Sequence, residues 1–209
     1  MITSQLLQTG LKLKPSSNNP RCMRCKYFTK TSDPFIRPSM KGPLMLVTPA
    51  PMPHDYTELG EAIEWEMIAS IVNSLGLKED DYSFASIVRC LPKRKGAITR
   101  TAIKMCSPFL FKEMNNFDRG ELILFGAETL HALVNPGISM VHAAGLEHDT
   151  PFGKALVTYS IREYFRSIKG GGNNENVLNV GIIEVITAHI ERFLYSREKI
   201  EFPMVEVVA

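Results

Sequence analysis

The sequence predicts an α/β fold: three layers, α/β/α, around a central four-stranded, mainly parallel sheet. Short apolar runs of strand length alternate with longer stretches of helical period, the pattern of a parallel sheet covered on both faces. The runs stop at Pro, Gly or basic residues, which punctuate strands in such folds. The chain has 209 residues, 44% hydrophobic and 22% charged, enough for one domain with a real core.

The elements follow in order. "GPLMLVTP" (42–49) reads as a short buried strand that ends at prolines. Residues 61–75 place Ile63, Met67, Ile71, Val72 and Leu75 on one helical face, with Gly76 as the C-cap. "FASIV" (84–88) is the second strand. Thr99 caps a helix that turns Ala102, Ile103, Cys106 and Leu110 inward, and Pro108 is expected to kink or restart it. "ELILFG" (121–126) is the third strand, turning at Gly126 into the helix "AETLHALV", and "KALVTY" (154–159) is the fourth. After a polar linker, "KGGGNNEN" (169–176), Ile182, Ile186, Ile190 and Phe193 form the stripe of a last helix. One domain is expected over 1–195, followed by a C-terminal tail, 196–209, which reads as an edge strand or a partner-binding segment.

No apolar run approaches the length that spans a bilayer. The opening "MITSQLLQTG" lacks a basic stretch followed by a long apolar one, so an intracellular, cytoplasmic protein with no membrane partner is expected.

A net charge of +2 hides an asymmetry. Residues 1–30 carry Lys12, Lys14, Arg21, Arg24, Lys26 and Lys30 and no acid. Residues 82–112 carry Arg89, Lys93, Arg94, Lys95, Arg100, Lys104 and Lys112, again without an acid. Acids gather elsewhere, as Asp55, Glu58, Glu61, Glu64 and Glu66. Joined in space, the two basic blocks make the footprint of a phosphate backbone; kept apart, they are a solvated face.

Both blocks hold the cysteines. Cys22 and Cys25 form a C-x-x-C pair in "PRCMRCKYF", and fifteen residues separate Cys90 from Cys106. Disulfides, buried thiols and a metal centre all fit that spacing, which by itself puts zinc ahead of iron.

In a parallel sheet, ligands bind outside the carboxyl ends of the strands. Here those ends are "TPAPMPHDY", the run from Arg89 to Lys95, Gly126, and "YSIREYFR". The basic patch and the expected cleft share one edge.

Taken together, these segments resemble the uracil-DNA glycosylase superfamily, and within it the family 4 enzymes. "ASIVRCLP" is similar to that family's T-N-V-V-K-C-R-P, "CSPFL" to its C-x-P-y-L, and "VTYSIREYFR" to its T-y-H-P-a-y-L-L-R end. "ELILFGAETLHAL" resembles its strand-Gly-helix segment, and "LVTPAPM" stands where the family has V-G-E-A-P-G. The likeness covers residues 20–195. It implies a four-iron four-sulfur cluster, with zinc as the alternative, on Cys22, Cys25, Cys90 and Cys106. It also implies DNA as a partner, and replication or repair proteins beside it.

The resemblance breaks at the catalytic positions. The family's water-placing acid falls on Pro49, its base-reading Asn on Ser86, and its His on Ser160, followed by Ile161. Proline moves no proton, and one hydroxyl does not replace a planar amide. Losing one strong donor to a developing anion costs about 10²- to 10³-fold in rate. A diverged glycosylase would rely on Asp55 and Ser160 for catalysis, with His54, Tyr56 and Ser86 at the flipped base. The alternatives are a solvated loop for His54 and Asp55, and a sheet-edge cover for Tyr56. Arg89, Lys93, Arg94, Lys95, Arg162 and Arg166 are expected to grip phosphates, which needs charge and reach only. His131 reads as a surface or satisfied core histidine, and His142 and His148 flank the segment "AAGLE" with no assigned role. Two functions remain: a diverged glycosylase, or a non-catalytic DNA- or partner-binding protein on the same scaffold.

Overall fold

The computed structural model describes residues 42–50, 63–89, 98, 100–117, 120–164 and 175–197. In chain order the elements are β1 (Leu44–Thr48), α1 (Ile63–Ser74), β2 (Tyr82–Ser86), α2 (Arg100–Asn116), β3 (Glu121–Phe125) and α3 (Ala127–Leu133). They continue as α4 (Met140–Ala143), β4 (Glu147–Thr150), β5 (Gly153–Thr158) and α5 (Glu175–Tyr195). The fold is α/β, with a five-stranded mixed sheet in the order β2-β1-β3-β5-β4.

The four expected strands are all present, and each pairs in parallel with its neighbour: Leu44 with Tyr82 and Glu121, Leu122 with Ala155. The expected count of four is corrected to five by β4, which lies antiparallel on β5, Glu147 opposite Leu156. Its sequence, EHDT, holds no apolar residue and alternates in exposure. Strand formation there comes from hairpin pairing with β5 rather than from burial.

Two apolar clusters flank the sheet. Leu44, Leu46, Tyr82, Phe84, Ile123, Phe125 and Leu156 pack with α1 and α5. The alternate residues, Met45, Val47, Ala85, Leu122, Leu124, Ala155 and Val157, pack with α2, α3 and α4. A strand buried on both faces has no polar side to show, which is why β1 reads as an unbroken apolar run.

The α1 stripe is centred elsewhere than expected: Trp65, Ile68, Ala69 and Val72 are the most deeply buried set, while Met67 and Leu75 are partly covered. Trp65 stacks on Phe84 with centroids 4.9 Å apart and planes 10° apart. The helix closes at Gly76 as expected. Gly76 has φ +92°, its N–H donates to Asn73, and the N–H of Leu77 donates to Val72. This is a Schellman close. A Cβ on Gly76 would meet nothing within 4 Å, so the only penalty of Gly76→Ala is the left-handed backbone. That penalty is about 1–2 kcal/mol, readable as a lower urea midpoint with an unchanged m-value.

Pro108 lies inside α2, and the helix neither restarts nor breaks there. The carbonyl that Pro108 cannot bond, that of Lys104, accepts from the Ser107 hydroxyl at 3.4 Å. Ala102, Cys106, Leu110 and Met114 form the buried stripe. Among the described residues, no helix is long and apolar enough to cross a membrane.

Candidate functional site at the carboxyl edge of the sheet

The chain leaves β1 to one side, toward β2, and leaves β3 to the other, toward β5. The crevice between the carboxyl ends of β1 and β3 is therefore the switch point where such sheets take ligands. Its floor is tight. Gly126 has φ +91°, and a Cβ there would stand 2.9 Å from the Ser160 Cβ and 3.6 Å from the Pro49 ring. Glycine is thus required both by backbone and by space. The Thr48 hydroxyl ends β1; it accepts from the Trp65 indole at 3.1 Å and donates to the Ala85 carbonyl at 3.4 Å.

Glu64 is the central acid of this edge, although in sequence it is one of several clustered acids with nothing to mark it. It sits in the first turn of α1 with no solvent exposure. Ser160 donates to its Oε1 at 3.4 Å, and the Arg162 Nε lies 3.5 Å from its Oε2. Burial pushes the Glu64 carboxyl above its ordinary 4.5; the Arg162 charge and the bonds from Arg162 and Ser160 pull against that, and the Glu128 carboxylate adds to the rise. Arg162 also donates to the Ala50 carbonyl, and its own N–H donates to the Ser160 hydroxyl at 3.2 Å. One guanidinium thus ties the end of β1, the start of α1 and the exit of β5. Arg162, expected at a phosphate, is 12% exposed in its side chain, and its charge faces Glu64.

The two serines at expected base-contacting positions are both engaged internally. Ser160 is 4% exposed and holds Glu64, and the buried Ser86 donates to the Val88 carbonyl at 3.1 Å. Pro49 lines the same crevice.

Arg89, also expected at a phosphate, faces inward too. It is 1% exposed and ion-paired with Glu113 of α2. Burial pulls its guanidinium down to about 10, partly offset by the sulfur of Cys106. It stays charged at neutral pH, but that charge points into the protein. Cys106, 3% exposed on the inward stripe of α2, therefore lies in the electrostatic neighbourhood of the residue next to Cys90. Cys22, Cys25, Cys90, His54, Asp55, Tyr56, Lys93, Arg94, Lys95 and Arg166 lie outside the described residues, as does the tail beyond Arg197.

The histidines divide clearly. His131 is exposed and bonds the Ile138 carbonyl at 3.0 Å, and His142 bonds the Ser139 hydroxyl at 2.9 Å. His148 on β4 bonds the Ala143 carbonyl at 3.2 Å. His189 of α5, which no sequence motif singles out, bonds the Thr158 hydroxyl at 3.1 Å, and its pKa is lowered by burial and by Arg192. A cavity of about 580 Å³ opens at the other, amino end of the sheet, with Met114, Phe117, Phe152 and Lys154 in its wall. It is remote from the switch point and holds none of the expected site residues.

No protein-family model matches the sequence, and no curated protein matches it.

Proposed function

We propose that this chain is an iron–sulfur, DNA-binding protein of DNA repair or replication, a three-layer α/β/α fold like that of the uracil-DNA glycosylases, which holds DNA without excising a base. The observation that carries the reading is the state of Ser160. It stands where the family has its catalytic His, yet it is buried and its hydroxyl is engaged by Glu64. A hydroxyl committed to a buried carboxylate offers no donor to a departing base. Ser86, committed to Val88, supports the same conclusion.

The donor chemistry supports the cluster. Cys106 is buried on the inward face of α2, and Arg89, one residue before Cys90, lies near its sulfur. A cluster held there by Cys22, Cys25, Cys90 and Cys106 would crosslink the N-terminal basic block to α2, so that binding free energy becomes folding free energy.

The test uses uracil-containing single- and double-stranded oligonucleotides. Purified protein is expected to bind them with a steep salt dependence and to leave no alkali-labile breaks. Breaks at uracil that vanish in Asp55→Ala would replace this reading with that of an active, diverged glycosylase.

A further inference from the structure

Arg89 and Arg162 face carboxylates inside the fold. The outward side of α2, by contrast, presents cations to solvent. Arg100, Lys104 and Lys112 are exposed, while Ala102, Cys106, Leu110 and Met114 face the core. At 1.5 Å and 100° per residue, the three cations span about 18 Å of helix within about 120° of arc.

Helix stability does not explain this row. The first turn of a helix favours acids, yet α2 has none there and begins with Arg100. Lys104 and Lys112 have no acid three or four positions away, so no intrahelical pair supports them. The one acid in α2, Glu113, is paired with the buried Arg89 and does not offset the outward charge. The other long helices differ: α1 opens with Glu64 and Glu66, and α5 mixes Glu184 and Glu191 with Arg192. A row of cations with no acid three or four positions from Lys104 or Lys112 complements a line of phosphates.

We propose that Arg100, Lys104 and Lys112 form the surface on which this chain holds the phosphate backbone of DNA. The inference rests on the DNA-binding reading above and names its contact face.

The experiment compares full-length protein with Arg100→Gln/Lys104→Gln/Lys112→Gln, measuring affinity for a duplex oligonucleotide from about 50 to 200 mM NaCl. Three lost phosphate contacts should flatten the log–log salt slope by about 2.7. A Lys78→Gln/Lys154→Gln control removes two exposed cations near the amino end of the sheet and should leave the slope as it was. Circular dichroism and the melting temperature show whether the triple variant is folded; if it is not, Lys104→Gln alone, expected to flatten the slope by about 0.9, decides the matter. A slope indifferent to these substitutions overturns the row while leaving DNA binding intact. A wild-type chain that binds no DNA, or prefers poly-glutamate to DNA of equal charge, overturns the DNA-binding reading and the row with it.

Discussion

Arg162→Met is expected to cost about 3–5 kcal/mol of stability at neutral pH, because it strands a buried carboxylate. Glu64 has no solvent exposure, and Arg162 is the charge that opposes its desolvation. Methionine keeps much of the arginine's volume, so the loss is electrostatic more than steric. The pH dependence separates this cause from simple loss of packing. Burial already raises the Glu64 pKa above 4.5 in the folded chain. A carboxyl with a raised folded pKa contributes stability that is present below its unfolded pKa and lost as pH rises through the folded one. Removing the guanidinium raises that folded pKa further and widens the window. The variant's penalty should be smallest below about pH 4.5, where the lost bond to the Ala50 carbonyl remains, and should grow as pH rises through the wild-type folded pKa, by up to about 1.4 kcal/mol per pH unit. Adding Glu64→Gln to Arg162→Met should recover stability near pH 7.5. Urea titrations at about pH 4.5 and about pH 7.5 make the measurement; an equal penalty at both would rule out the stranded carboxylate as the cause.

The same pair marks the boundary of what sequence can reveal. The four parallel strands were legible because burial on both faces leaves continuous apolar runs, and punctuating residues such as Pro49 and Gly126 mark where two of them stop. Gly76 and Gly126 were legible because a left-handed residue at an element's end needs glycine. β4 was not, since its four residues owe their extension to a neighbour and show no apolar period. Glu64 looked like one more acid in an acidic stretch; its partner Ser160 stands 96 residues away, and nothing local announces the pairing. Arg89 is a related case. An arginine after a strand looks like a phosphate contact, but Glu113 on the next helix decides where its charge goes. Charge signs were readable, then, whereas the direction each charge faces was a tertiary property.

On the proposed iron–sulfur reading, anaerobically purified protein is brown, and Cys106→Ser is expected to abolish that colour and to lower the melting temperature by at least about 5–10 °C, given about 2–4 °C per kcal/mol for a chain of this size. Size and shape barely change in this substitution, so packing alone predicts much less. A thiol that only fills space in the apolar cluster that also holds Ile87, Val88 and Ala102 would cost about 1 kcal/mol on replacement and carry no colour. A ligand loses more, because the cluster's binding free energy is part of the folding free energy. Wild-type protein should hold about four iron and four sulfide per chain, and stripping the iron with an oxidant and chelator should bring its melting temperature down to that of the variant. The variant itself should be indifferent to that treatment. One zinc per chain in place of iron would keep the crosslink and change the metal. A Cys106→Ser protein that stays brown and melts with wild type would remove Cys106 from the ligand set, and with it the argument that ties the N-terminal basic block to α2.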